Sequence, residues 1–244
     1  MRTKGMYHFC LLMLLLINTV ALAQEDEKRL IISYIDKIGH FSIPEKGVVY
    51  HMNMNMVSFL QNRKMKPSEL KMELFMTSDM IKYTTGLVTV YQDSLDCFVV
   101  IHKDKKIFLR DGGFKLDKME GLVQFQKKLI THSRLVSCNV FELEGNEFKR
   151  MRFRPEDKIG EQLKIKELEF VYDPREKTIE SLRIKYQADN PVAVQVINYN
   201  EINFNYKGKA PSGPAAKYFF KKNGALQDNY AGYQLIDNRL KNNG

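Results

Sequence analysis

The sequence predicts a mainly β protein of the α+β kind: one large curved antiparallel sheet, or an unclosed β-barrel, with an N-terminal helix and a covering helix. Three observations predict it. From Gly47 to Tyr206 apolar residues recur at every second position in run after run, the period of strands with one buried face. The connections between these runs are short, polar and turn-forming, as in hairpins. Only two stretches switch to helical spacing, too few for a doubly wound sheet, in which helices alternate with strands.

Ahead of the strands, Arg2 and Lys4 precede an almost unbroken apolar run from Phe9 to Val20, and Ala21-Leu22-Ala23 sets small residues where a signal peptidase reads. This predicts a cleavable secretory signal over 1–23, cut after Ala23, and a periplasmic protein. Cys10 follows His8-Phe9 rather than a small-residue box, so a lipid-anchored N-terminus is not expected. No later run is long enough to span a bilayer, and at most peripheral membrane contact is expected. The formal net charge of +9 is spread along the chain. A solvated basic surface accounts for it, while anionic headgroups or an acidic partner would also suit it.

Glu25 to His40 reads as a helix, with Leu30, Ile31, Tyr34, Ile35 and Ile38 at spacings of three and four, acidic residues at its start, and Gly39 and Pro44 to end it. The period then changes to two. Tyr50, Met52, Met54 and Met56 alternate with His51, Asn53 and Asn55, and Leu70, Met72, Leu74 and Met76 alternate with Lys71 and Glu73. Strands follow over Met80–Tyr91 (with Gly86 as a bulge), Leu95–His102 and Lys106–Leu109. Lys115 to Ser133 is the second helix, its stripe formed by Leu116, Met119, Leu122, Val123 and Ile130. Strands resume over Leu135–Leu143, Glu147–Arg154, Leu163–Tyr172, Thr178–Tyr186 and Val192–Tyr206, with Asp173-Pro174-Arg175-Glu176 as a turn in which proline sets φ. The β domain is thus 24–207. Residues 208–244 are a linker, from Gly208 to Pro214, and an aromatic tail that either packs back on the sheet or docks to a partner.

The chemistry-bearing residues do not assemble into a reaction. His40, His51, His102 and His132 are scattered and read as exposed strand or loop residues; there is no HExxH, no G-x-S-x-G, no P-loop and no G-x-G-x-x-G. No metal site, cofactor or enzyme activity is expected. Glu142 with Glu144, and Glu167 with Glu169, lie two apart, a spacing that puts both on one face of a strand; solvated charges explain them better than a glycosidase pair. Cys97 and Cys138 can form a disulfide or stay as two buried thiols. Lys149, Arg150, Arg152 and Arg154, interleaved with Phe148, Met151 and Phe153, form a basic strand for headgroups or an acidic partner; nucleic acid is not expected outside the cell. The methionines are the most suggestive feature. Met52, Met54, Met56, Met72 and Met76, with Met80 as a further candidate, line one face, and the flexible, polarizable thioether suits either a varied apolar ligand or an ordinary core.

Taken together, the leading helix over 25–38, the antiparallel series broken by the helix over 115–130, the hairpin LKIKELEFVYDPREKTIESLRI from Leu163 to Ile184, and the return stretch INYNEINFN from Ile197 to Asn205 resemble the LolA/LolB-like superfamily of periplasmic lipoprotein carriers. That resemblance implies an unclosed barrel with a helical lid and an apolar cavity for acyl chains. The chain departs from the family in having no tryptophan and in its tail after Lys207. The expected function is a non-enzymatic periplasmic carrier that holds an acyl chain or a lipidated protein. Its lining would be Tyr50, Met52, Met54, Met56, Leu70, Met72, Leu74 and Met76, with Leu122 and Val123 as lid contacts. The alternative is a cell-envelope interaction module that uses the strand 148–154 or the tail. A third reading, a hydrolase, requires a nucleophile beside one of the histidines.

Overall fold

The computed structural model of the protein describes residues 25–37, 43–113 and 117–239, with the backbone alone at 117–123 and 157. The expected signal over 1–23, Ile38, Gly39, His40 and the first residues of the second helix lie outside them. In chain order the elements are α1 (25–37), β1 (Tyr50–Leu60), β2 (Ser68–Met76), β3 (Ile81–Thr85), β4 (Val88–Gln92), β5 (Asp96–Ile101), β6 (Lys106–Asp111), α2 (Asp117–Thr131), β7 (Ser133–Leu143), β8 (Asn146–Pro155), α3 (Asp157–Leu163), β9 (Ile165–Asp173), β10 (Thr178–Tyr186), β11 (Val192–Asn203) and β12 (Gln234–Asp237). The protein is mainly β. Its strands form an unclosed, mainly antiparallel sheet in the order β12-β6-β5-β4-β3-β2-β1-β11-β10-β9-β8-β7. No described helix is long and apolar enough to cross a membrane.

The expected strand over Met80–Tyr91 is instead a hairpin. Gly86 lies in its turn, where the Thr85 hydroxyl accepts the N–H groups of Leu87 and Val88 at 3.2 and 3.0 Å. The face carried by odd positions in β3 (Ile81, Tyr83) passes to even positions in β4 (Val90, Gln92), a one-residue shift of phase that in sequence reads as a bulge within one strand. The third helix, α3, has only Ile159 and Leu163 as apolar residues and so carries no stripe to detect. It stops at Lys164, which adopts the left-handed region (φ 57).

The chain divides into two compact units: residues 1–40 with 119–194, and 41–118 with 195–244. The first contains α1, α2, α3 and the strands β7 to β10. Met151 and Phe153 of β8 lie opposite Phe170 and Leu168 of β9, and all four are buried on one face. The helices contribute Ile31, Tyr34, Ile35, Leu129 and Ile130 to the core. The two long helices are tied to one another by Lys127 Nζ, 2.7 Å from Asp36 Oδ1, and by Lys28 Nζ, which donates to the Thr131 carbonyl at 3.4 Å.

The second unit contains β1 to β6, most of β11 and the residues after 207. Of the two readings open for the aromatic tail, the structure has it packed on the sheet. Ala215, Phe219 and Tyr230 are buried in one cluster with Met80, Phe98, Val100, Ile107 and Leu109. Phe219 stacks between Phe98 (4.1 Å between centroids) and Tyr230 (4.9 Å). β12 then runs parallel to β6, pairing Leu235 with Ile107 and Ile236 with Phe108.

Asp93, only 5% exposed, pins this arrangement. Its Oδ1 accepts the N–H groups of Leu95 and Asp96 at 2.8 and 2.7 Å, and its Oδ2 accepts that of Ala215 at 2.6 Å. Gly112 passes so close that a Cβ there would lie 2.5 Å from both the Asp93 carbonyl oxygen and the Asp96 nitrogen. Asp93→Ala strands three backbone donors at once, and urea unfolding should show a loss of about 3 kcal/mol.

Burial, with Tyr91 and Tyr233 nearby, pushes the Tyr230 phenol from its ordinary 10 up to about 12. The folded chain therefore holds this proton more tightly than the unfolded chain. The stability this contributes is complete below pH 10 and is lost as the pH rises towards 12, on the order of 2 kcal/mol in all. Unfolding curves taken across that range should steepen in their pH dependence, and Tyr230→Phe should flatten them.

Candidate functional site

The register of β1 on β2 sets Tyr50 opposite Met76, Met52 opposite Leu74, Met54 opposite Met72 and Met56 opposite Leu70. Directly opposed residues of an antiparallel pair project to the same side. The eight expected lining residues of these two strands thus share one face of the second unit. β3 extends it, with Tyr83 opposite Leu74 and Ile81 opposite Met76. Met52 and Met76 are closed off, at 5% and 2% exposed. Tyr50, Met54, Met56, Leu70, Met72 and Leu74 are only half-buried. Leu122 and Val123, the expected lid contacts, lie on the backbone of α2, and their side chains are outside the described residues.

The reverse face of the same strands differs from the polar surface expected. His51 is buried, not exposed. Its ring stacks on Phe75 at 4.4 Å and lies 4.5 Å from Tyr206, while its Nε2 and Nδ1 are 3.3 Å and 3.0 Å from carboxylate oxygens of Glu73 and Glu201. Alternation alone does not reveal this, because Tyr206 arrives from far along the chain. With aromatic rings against it and carboxylates at both nitrogens, His51 offers no approach to a substrate. The other two described histidines are also in contacts: His102 Nε2 is 2.8 Å from Thr89 Oγ1, and His132 Nδ1 is 3.3 Å from Glu156 Oε2. Among the described residues no cluster of His, Cys, Asp and Glu could hold a metal ion.

In the first unit a cavity of about 440 Å³ lies under α1, within the size range of ligand sites. Leu30, Ser33, Tyr34 and Lys37 of the helix face Lys149, Tyr172, Pro174 and Lys177 of β8, β9 and the turn after β9. Its walls are mainly apolar and three of its eight residues are lysines. Lys149 Nζ donates to Glu27 Oε1 at 2.9 Å, and this hydrogen bond raises its pKa above the ordinary lysine value. Of these residues the sequence marks the helix stripe, and Lys149 as a member of the basic strand. Lys177, at φ 55, and Pro174 read simply as turn residues.

The expected basic strand is divided by its own alternation. Lys149 shares the inner side with Met151 and Phe153, under α1, whereas Arg150, Arg152 and Arg154 project to the other side. There Arg134 lies opposite Arg154, Glu169 lies opposite both Arg152 and Arg183, and Arg150 sits 4.7 Å over the Phe141 ring. The carboxylate pairs form no acid/base site. Glu144 is in the turn after β7 at φ 52, off the strand that holds Glu142, and Glu167 accepts from Lys185 Nζ at 2.5 Å. Cys97 and Cys138 are free thiols, so the disulfide open to them is not made: Cys97 is half-buried, its Sγ 3.8 Å from Gln92 Oε1, and Cys138 is exposed on β7.

No family model and no curated protein matches the chain. Solved structures do. One is a putative outer membrane lipoprotein-sorting protein domain from Vibrio parahaemolyticus, 13% identical, with a TM-score of 0.30, matched over 74% of this chain and 93% of that one. A LolA superfamily protein from Nitrosomonas europaea is 7% identical, with a TM-score of 0.27, over 72% and 94%. A DUF1329 family protein from Desulfovibrio piger is also 7% identical, with a TM-score of 0.34, over 76% and 94%.

Proposed function

We propose that the protein is a periplasmic, non-enzymatic carrier that holds an acyl chain, of a lipid or a lipidated protein, against the methionine face of β1 and β2. The observation that carries this reading is the half-open state of that face. Six large apolar side chains stand in register on two long strands and are not closed into a core, and a contiguous apolar patch of that kind marks an interaction surface. Thioether side chains adapt to ligands of varied shape. Each buried methylene contributes about 0.8 kcal/mol whatever the headgroup, so affinity comes with little polar selectivity. The arginines of β8 would meet anionic headgroups where the carrier touches a membrane or an acidic partner.

The test is native mass spectrometry of the chain purified from a periplasmic extract, with organic extraction of what it carries. A co-purifying acyl lipid or lipopeptide supports the reading and identifies the ligand class. An apo mass that stays unchanged after exposure to phospholipid vesicles overturns it.

A further inference from the structure

The base and the mouth of the cavity under α1 differ in chemistry. Tyr34 and Tyr172, each 4% exposed, form its base, and the half-buried Leu30 and Pro174 add apolar wall. Ser33, Lys37 and Lys177 line the same space but are exposed, so they stand at its mouth. Leu30, Ser33, Tyr34 and Lys37 follow one another at helical spacing, which puts the whole α1 contribution on one stripe. A lysine in such a place covers apolar wall with its stem and keeps its ammonium in water.

The charges of the two mouth lysines are not answered within the fold. The acidic residues beside them in sequence are engaged elsewhere. Asp36 Oδ1 lies 2.7 Å from Lys127 Nζ, and Glu176 Oε1 lies 3.1 Å from Arg175 Nε. Asp173 Oδ1 accepts the N–H groups of Arg175 and Glu176 at 2.8 and 3.0 Å. Among the described residues neither Lys37 nor Lys177 forms an ion pair. The third lysine, Lys149, is matched by Glu27 at 2.9 Å. The free positive charge of the cavity therefore sits at its mouth, above apolar walls.

We propose that this cavity binds a small amphiphilic anion, a carboxylate or phosphate ester on a flat apolar body, with the body against Tyr34 and Tyr172 and the anionic group at Lys37 and Lys177. Neither half of the site would hold such a ligand well alone. Exposed ion pairs are weak because water screens them, and a small apolar body buries little area. Together they select one class of molecule. The body gains by leaving water, the tyrosine rings favour a flat partner, and the anion keeps its hydration at an open mouth. A volume of about 440 Å³ suits a fused ring or a short chain, not a diacyl lipid. The cavity belongs to the first unit, so it is independent of acyl binding at the methionine face of the second.

Calorimetric titration of the full chain at low ionic strength tests this with three probes of one shape: naphthoate, naphthyl phosphate and the uncharged naphthalenemethanol. Both anions are expected to bind saturably, about tenfold more tightly than the alcohol. Binding of only one of the two also supports the site and identifies its headgroup. Lys37→Gln with Lys177→Gln should bring the anions down to the affinity of the alcohol, whose own binding stays the same. Lys37→Arg with Lys177→Arg should keep the preference for the anions. Ser33→Trp, at an exposed helix position, should fill the mouth and weaken all three. Met54→Glu, in the other unit, should leave every titration unchanged, so failure of acyl retention there and failure here are read separately. Absence of saturable binding by either anion overturns the proposal, as does equal affinity for anion and alcohol. Binding lost in Met54→Glu but kept in the lysine pair overturns it too, by placing the ligand on the methionine face.

Discussion

Phe219→Ala is expected to cost the second unit about 3–5 kcal/mol, a large share of the stability of an ordinary domain. The ring is fully buried, stacked on Phe98 at 4.1 Å and on Tyr230 at 4.9 Å, and edge-on to Tyr91 at 5.3 Å. Its removal leaves a void that three other aromatic rings line and that a stiff sheet cannot collapse to fill. Phe219→Leu, which keeps most of the volume and loses the stacking, should cost about 1 kcal/mol. Urea unfolding of the three proteins measures both. Equal losses for the two substitutions would mean that the tail is held by its hydrogen bonds and not by this stack.

Met54→Glu and Met72→Glu are expected to abolish acyl retention while leaving the fold intact. The two residues face each other across β1 and β2 and are half-buried, so a carboxylate at either can stay solvated in the empty protein. With an acyl chain in place the same carboxylate must give up water without gaining a partner, a cost of about 3 kcal/mol or a hundredfold in affinity. Lys71→Glu, on the reverse face of β2, is the matched control and should retain the ligand. Displacement of a fluorescent fatty acid gives the affinities, and circular dichroism reports the fold. Full retention by both methionine variants would remove the ligand from this face.

Those residues could be named from the sequence because strand alternation is a local property. Tyr50, Met52, Met54 and Met56 share a side whatever they pair with, and the polar turn before β2 leaves a simple antiparallel register. What alternation cannot convey is the arrival of distant chain. Tyr206 covers His51, Phe219 and Tyr230 cover β5, and Tyr172 and Lys177 complete a cavity with a helix at the other end of the sequence. Each depends on contacts between residues far apart, for which neither period nor composition gives a sign. The turn at Gly86 is obscured for a different reason: the one-residue shift of phase across it is also what a bulge in a single strand produces, and the Thr85 side-chain hydrogen bonds that close it have no marker beyond a threonine.

The parallel pairing of β12 with β6 has a consequence for synthesis. Residues 106–111 leave the ribosome well before residues 234–237, which pair along their edge. During that interval β6 is an open strand on a growing chain, and the cluster around Phe98 lacks its aromatic cover. A ribosome that stalls after β11, or a protease that nicks the Gly208–Pro214 stretch, leaves a product with a bare edge and an uncovered apolar face, the two features that recruit other unfinished chains. Pairing of residues 234–237 with β6 is therefore the step that takes the bare edge away from the folding chain.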